Sequence, residues 1–440
     1  MISVATAVQL FMLAVLPSQT PASLAAASPA QAGSPADRQI DARFEAALLG
    51  DVVPQQDASE LRPRLAVDAT WKPNAMVRAH IEAMVEALAA DRSGFTTTAI
   101  ARARDAWIEV AGAHADLRAG FGRVIWGRLD EIQPSDVINP LDASRFLLDS
   151  RSEARLAVTF VRGRIMPSDR LTFEGVFVPV FRRAVFDELD ERSSPFNLTH
   201  DAVLPAAVPT TPGVKQIEPQ VSWQNVSGGG RVLTTIGRVD LGASVYRGFD
   251  GFGPVTFEVT PVIGVAGDIQ PAVVGQLVER HPRFTMVGGD FETTAGPWAI
   301  RGETAVFVER TFAAVSQGGL VAGRAIDGGV GVDRRLGASH VFGSVLVHHH
   351  WSQRDARLAQ TDVDVVASID RRFVRDHYLA RAFAVVNPGD RSAFVRGIVA
   401  WNASDHISLE ASAGTFLGSG TDTVSRFDGR DFVFGRVRIR

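Results

Sequence analysis

Apolar and polar residues alternate with a period of two along most of this chain. Arg62, Arg64, Asp68 and Thr70 alternate with Leu61, Leu65, Val67 and Ala69. Arg238, Asp240 and Ser244 alternate with Val239, Leu241 and Val245, and Arg301, Glu303 and Glu309 with Ile300, Thr304, Val306 and Val308. Asp362, Asp364, Ser368 and Asp370 follow the same rule against Val363, Val365, Ala367 and Ile369, as do His406, Ser408, Glu410 and Ser412 against Ile407, Leu409, Ala411 and Ala413. Period two is the strand period, because successive side chains point to opposite faces. The runs extend over about 9 to 12 residues, the length of a tilted crossing of a hydrocarbon layer. A soluble sandwich also alternates. Run length and coverage of almost the whole chain favour a membrane barrel, with apolar residues toward lipid and charged ones toward the lumen.

Val77, Ile81, Met84, Val85 and Leu88 fit helical spacing as well. Lys72-Pro73-Asn74 makes a turn between two alternating runs, which favours a strand with Arg78, His80, Glu82 and Glu86 inward. Ser227-Gly228-Gly229-Gly230, Asn387-Pro388-Gly389-Asp390 and Asp428-Gly429-Arg430 read as further chain reversals. Roughly 16 to 19 strand candidates lie between Phe44 and Arg440, and single-chain barrels close with an even number. The prediction is an all-β chain: one large antiparallel transmembrane barrel of about 16 to 18 strands over residues 44–440. Two polar, proline-containing loops, 127–150 and 182–220, are predicted after the fifth and seventh strands, and therefore on the same side.

The first 32 residues differ. Val4 to Leu16 is a mostly apolar run, interrupted by Gln9, and small residues and prolines follow up to Ala30-Gln31-Ala32. This reads as a cleavable signal peptide, although no Lys or Arg precedes the apolar run. Residues 33–43 read as a short linker. No later stretch reaches the roughly 18 apolar residues of a spanning helix. The formal net charge of −4 over 440 residues implies no basic face, which speaks against nucleic acid as a partner. Lys72 and Lys215 are the only lysines, so arginine carries the positive charge, and it stays ionised in a polar passage. The chain has no cysteine, which excludes disulfides and thiolate chemistry.

Trp126-Gly127 is followed by Asp130 and by Pro134-Ser135-Asp136-Val137-Ile138-Asn139-Pro140-Leu141-Asp142. The order W-G, D, P-x-D-V-x-N-P-L-D, with Leu171 to Phe181 as a strand ending V-P-x-F, resembles a family of porin-like outer-membrane β-barrels of poorly defined function from Gram-negative and related bacteria. The match covers roughly Asp105 to Phe181. It implies an outer-membrane barrel, with the bilayer and the barrel-assembly machinery as partners, and no particular solute. The last residue, Arg440, stands where such barrels commonly have an aromatic one, and tyrosine, common in interface girdles, is confined to Tyr246 and Tyr378.

The candidate lumen-lining residues are Arg62, Arg64, Arg102, Arg104, Arg238, Asp240, Arg301, Glu303, Asp362, Asp364, Glu410, Arg436 and Arg438. In the signature loop, Asp130, Asp136, Asn139 and Asp142 could bind a cation, but Asx side chains more often turn and cap the backbone, and Pro140 sets an extended approach. Trp126-Gly127 is expected where a strand leaves the membrane. His348 and His350 share a strand face but lack a third ligand, so no metal site is assigned and the cluster is placed at the interface. No G-x-S-x-G is present and the glycine runs open no helix, so neither hydrolase nor phosphate-loop chemistry is indicated. No cofactor is implied. The function read from these features is passage of small polar solutes through an outer-membrane channel. A barrel-borne enzyme such as a lipid hydrolase and an exported soluble β-rich protein are the alternatives.

Overall fold

The computed structural model describes residues 39–92, 94–130, 132–142, 151–185, 194–196, 210–262, 272–314, 319–352, 360–420 and 422–440. The signal-peptide reading of residues 1–32 lies outside them, as do parts of both long loops. The strands are β1 (Gln39–Val53), β2 (Ala58–Lys72), β3 (Val77–Arg92), β4 (Phe95–Ala111), β5 (Ala115–Gly122), β6 (Val158–Ser168) and β7 (Leu171–Val178). Then come β8 (Thr210–Ile217), β9 (Ser227–Ile236), β10 (Val239–Phe249), β11 (Val255–Val262), β12 (Ala272–Arg280), β13 (Arg283–Ala295) and β14 (Trp298–Ala314). The last are β15 (Gly319–Leu336), β16 (Ser339–Ser352), β17 (Gln360–Phe373), β18 (Tyr378–Asn387), β19 (Ser392–Asn402), β20 (Ile407–Leu417) and β21 (Phe432–Ile439). An 18-stranded sheet contains all of them except β8, β11 and β12, which pair in a separate three-stranded sheet. Each barrel strand pairs antiparallel with the next, and β1 pairs with β21, Ala46 opposite Ile439 and Val52 opposite Val433, which closes the ring. Closure leaves the barrel no edge strand, as a hydrocarbon solvent demands.

Connections sort by side. Short turns at 73–76, 112–114, 169–170, 237–238, 296–297, 337–338, 374–377 and 403–406 cluster at one end, with Gln39 and Ile439. The chain between β5 and β6, between β7 and β9 and between β10 and β13 lies at the other. Asn74 makes one of the short turns, its Oδ1 accepting from the Met76 and Val77 amides at 2.9 and 2.8 Å. The stretch that also fits a helix is β3, with Met84, Glu86 and Leu88 buried inward and Val85 exposed outward.

Outward positions carry Leu48, Leu61, Leu65, Val85, Ile108 and Val399, all exposed. Five of the seven tryptophans rim this apolar wall. Trp71, Trp298 and Trp401 point outward near the short turns, and Trp223 and Trp351 near the long connections. Tyr378 stacks on Trp401 with ring centroids 6.2 Å apart. Indole and phenol suit a membrane interface, being apolar bodies with a polar edge. The girdle is thus built mainly from tryptophan.

The inner wall is not uniformly polar. On β21 the inward face changes from Phe432 and Phe434 to Arg436 and Arg438, and on β19 from Phe394 to Arg396. Phe383, Phe394, Phe416, Phe427, Phe432 and Phe434 form one buried cluster with Phe196. Trp126, Phe160, Tyr246, Phe284, Met286 and Phe307 form another. Both lie toward the long connections, where inward-folded chain excludes water and apolar side chains find each other.

Ser227-Gly228-Gly229-Gly230 is not a turn but the start of β9; the reversal comes at Gly237, with φ +64°. The glycines are needed for close approach. A Cβ on Gly229 would lie 2.1 Å from the Val245 carbonyl oxygen and 2.8 Å from the Tyr246 Cα. Gly229→Ala is expected to destabilise the barrel by about 2 kcal/mol or more, as overpacking against rigid backbone does. The check is the denaturant midpoint of the folded band on unheated gels; an unchanged midpoint would contradict it.

Candidate functional site

The sequence-predicted arginines and acids lie on opposite sides of the inner wall, and further charges of the opposite sign stand among each group. Arg62 and Arg64 on β2, Arg102 and Arg104 on β4, and Arg436 and Arg438 on β21 lie within a few strands of one another, because the ring joins β21 to β1. Asp240 on β10, Glu303 on β14, and Asp362 and Asp364 on β17 lie across the barrel. Glu410 on β20 is an acid among the bases, accepting from Arg436 Nη2 at 2.6 Å. Arg301 is a base among the acids, with Nη1 2.7 Å from Asp130 and 2.5 Å from Asp333. Arg238 is a correction. It sits exposed in the β9–β10 turn, one residue outside the strand, because the chain reverses at Gly237.

Two bulges change what faces inward. The β3–β4 register shifts between Glu82 and Ala83, so Arg104 and Asp105 both point inward. The β14–β15 register shifts between Phe307 and Arg310. Glu309 therefore faces outward, 3.2 Å from Arg247, and Arg310 faces the lumen. An extra residue in one strand reverses the alternation beyond it.

The basic wall is neutralised locally. Buried Arg62 reaches Glu60 at 2.6 Å and Glu86 at 3.4 Å, buried Arg64 reaches Glu86 at 2.6 Å, and Arg92 also pairs with Glu60. Glu153 bridges Arg436 at 3.4 Å and Arg438 at 3.3 Å. Arg104 pairs with Glu82 at 3.3 Å. On the other wall, buried His348 lies 3.3 Å from Asp327 and 3.7 Å from Asp364.

The signature segment folds into the lumen. β5 ends at Gly122, so Trp126 is past the strand, buried to 1% exposure, and donates Nε1–H to Glu174 at 2.7 Å. Its expected place at the membrane boundary is thereby corrected: a tryptophan beyond the last ladder hydrogen bond follows the chain inward. Asn139 fastens the base of the segment. Its Oδ1 accepts from the Val124 amide at 2.8 Å and its Nδ2 donates to the Leu156 carbonyl at 2.8 Å. Arg155 holds Asp136 at 2.7 Å, and the Leu156 amide donates to the Pro140 carbonyl at 2.8 Å. Asp142 is buried and its amide donates to the Ala154 carbonyl at 2.8 Å. Asp136 and Asn139 thus hold protein, as Asx residues in ordered turns do.

The far end of the segment docks on the acidic wall. Buried Glu303 accepts from the amides of Arg128, Leu129 and Ser135 at 2.8, 3.2 and 2.7 Å and from Ser135 Oγ at 2.6 Å. Arg128 reaches Asp290, and Glu292 at 3.3 Å. Gly127 has φ +104°, and a Cβ there would come within 2.7 Å of Glu303 Oε1. The segment leaves the wall at β5 and grips it again at β13 to β15, partway round the ring.

A cavity lies on either side of this crossing. One of about 520 Å³ opens at the short-turn end, lined by Asp130, Arg301, Asp333, Arg335, His340, Asp370, Arg372 and Asp376. One of about 120 Å³ lies beyond it, where Asp136, Asn139, Asp250, Arg310 and Asp327 meet Tyr246, Phe249, Phe284 and Phe307. Of the histidine run, only His349 is outward, its ring tilted against Trp351 with centroids 5.2 Å apart. His350 faces inward against Phe312 and His348 is in the ion-pair chain, so the interface placement holds for one ring of the three.

His281, between β12 and β13, is buried against Phe181, and its Nδ1 is 2.9 Å from the Asp250 carbonyl. Burial pushes its pKa from 6.5 down to about 4. The folded ring stays neutral where the unfolded one takes a proton, so its contribution is whole above 6.5 and is lost as pH falls toward 4. Amide protection around Asp250 and Phe181 should therefore decline across that window, after correction for intrinsic exchange, and the decline should vanish in His281→Asn. Equal protection at both ends of the window would refute the assignment.

Comparison with protein-family models finds no match, and comparison with curated protein sequences finds none. Solved structures of similar shape are outer-membrane proteins. OccK7 (OpdD) of Pseudomonas aeruginosa is 8% identical, with a TM-score of 0.48, covering 92% of this chain and 98% of that one. The anion-selective porin of Comamonas acidovorans is 9% identical, with a TM-score of 0.42 and coverage of 91% and 99%. Salmonella typhi OmpF, in a complex with daunomycin, is 7% identical, with a TM-score of 0.43 and coverage of 91% and 97%. At such identities the likeness is one of shape.

Proposed function

We propose that the chain is a porin-like channel of the outer membrane for small polar and charged solutes, constricted by segment 123–142. The observation that carries the reading is the inversion of the usual protein surface: an apolar, tryptophan-rimmed exterior encloses a charged interior that opens as a 520 Å³ mouth. Both chain ends of the barrel and eight short turns lie at the end where that mouth opens, the periplasmic arrangement of such barrels, while the connections 54–57 and 388–391 lie at the other. Segment 123–142 and the aromatic clusters narrow the far half, which favours small solutes over large ones.

The test is conductance of the folded full chain in planar bilayers, with liposome swelling in sugars of increasing size. Folded protein that gives neither current nor swelling would overturn the reading. The mouth should also set ion preference. Neutralising Asp333 and Asp370 together is expected to lower the cation-to-anion permeability ratio by about twofold, read from the reversal potential in a salt gradient.

A further inference from the structure

We propose that Asp68, His80 and Glu82 form a binding site for a borderline divalent transition cation, with Zn²⁺ as the reference ion, on the lumen wall near the short-turn mouth. On the β2–β3 ladder Asp68 stands opposite Glu82, and Thr70 opposite His80. All three side chains face the lumen. One ligand atom from each lies within 4.8 Å of the others. His80 Nε2 is 3.9 Å from Asp68 Oδ2. A tetrahedral Zn²⁺ draws such atoms to roughly 3.3 Å apart. Asp68, with half its side chain exposed, has room to close that difference.

The surroundings act as an outer shell. Thr70 Oγ1 is 3.1 Å from His80 Nδ1. The tautomer that donates Nδ1–H to Thr70 leaves the Nε2 lone pair aimed at the two carboxylates, the orientation a ligating imidazole needs. Trp107 lies against the ring at 5.0 Å and fixes its plane. Glu82 is held by Arg104 at 3.3 Å and Arg123 at 2.6 Å, one on each oxygen. A carboxylate has about four lone-pair sites, so each oxygen keeps one for a metal. Asp105, which also pairs with Arg123, sets a third carboxylate beside Asp68 and Glu82 against the guanidinium groups of Arg104 and Arg123, so the group stays net negative toward a cation, and the fourth position faces the lumen. Imidazole favours Zn²⁺, Cu²⁺ or Ni²⁺ over Ca²⁺ or Mg²⁺. The site does not depend on the channel reading, since it needs only the lumen wall.

The experiment is Zn²⁺ titration of the folded full chain in detergent micelles near neutral pH, by calorimetry, with the visible absorption of bound Co²⁺ as second readout. The parent carries His349→Ala and His350→Ala, which removes the competing histidine run. Expected are one Zn²⁺ per chain, affinity weakened more than about tenfold by His80→Asn or Asp68→Asn, and about tenfold by Thr70→Val through the ring orientation. Ca²⁺ should not displace the ion. Heat-modifiable mobility on gels verifies that each variant is folded. A folded parent that binds no Zn²⁺, or a folded His80→Asn that keeps both the affinity and the Co²⁺ spectrum, overturns the proposal.

Discussion

Glu303→Ala is expected to raise the single-channel conductance of the folded barrel severalfold and to make it fluctuate between levels. Glu303 is the buried wall group on which segment 123–142 ends, and one carboxylate there accepts four hydrogen bonds from Arg128, Leu129 and Ser135. Alanine strips three amides and a hydroxyl of their acceptor in a site with little water. Each such loss costs about 1–3 kcal/mol. Even with partial rescue by solvent, local anchoring weakens by about 3 kcal/mol. The ladder strands are untouched, so the barrel still forms and the crossing segment swings away. Gly127→Ala should act in the same direction, since its Cβ would press on the Glu303 carboxylate and its φ of +104° is strained for any other residue. Bilayer recordings decide the matter. Unchanged conductance with unchanged noise in a folded Glu303→Ala protein would mean that this segment is not the constriction.

Glu86→Ala is expected to lower the stability of the folded barrel by about 3–5 kcal/mol, with little change in conductance if the protein is kept folded in lipid. Glu86 is 1% exposed and faces Arg62 and Arg64, both buried. Removing the carboxylate takes the 2.6 Å partner of buried Arg64 and one of the partners of Arg62, which keeps Glu60, and that desolvation penalty exceeds what the intact pairs contribute. Urea unfolding in lipid vesicles, followed by tryptophan fluorescence, measures it. The double variant Glu86→Gln with Arg64→Met should recover much of the loss, because charge and partner leave together. A midpoint for Glu86→Ala equal to that of the parent would show that these arginines find water instead.

The architecture was legible because a barrel writes its two faces into alternate residues. Runs such as Asp362 to Ile369 and His406 to Ala413 carry the strands in plain view, and closure with an even number brought the expectation close to the 18 observed. The site was less legible, for three physical reasons. Alternation cannot show bulges, so it sets Glu309 with the inward charges and passes over Arg310. Composition cannot distinguish a glycine run that turns from one that lets strands approach, so Gly228 to Gly230 read as a reversal. Spacing cannot show which wall a segment meets across a lumen, so it puts Trp126 at the membrane boundary although Glu174 draws its indole inward. The Asp68, His80 and Glu82 cluster needed the β2–β3 register, which no single strand contains. The aromatic clusters had a compositional sign in 26 phenylalanines against two tyrosines: rings with no polar handle suit a dry interior as well as a lipid face.

Glu303 lies 168 residues downstream of Ser135, whose amide it accepts. Chain synthesis and export run from the amino terminus, so the segment exists long before its anchor. A nascent barrel that reaches only β13 offers the segment the Arg128 ion pairs to Asp290 and Glu292 but lacks the four hydrogen bonds of Glu303. The latch engages once β14 is in place, and only the strands from β15 onward then remain to seal the ring. An assembly intermediate stalled before β14 would be a leak in the membrane, and a complete ring with a damaged β14 would be the same leak made permanent. The wiring makes the second half of the molecule the guarantor of the first.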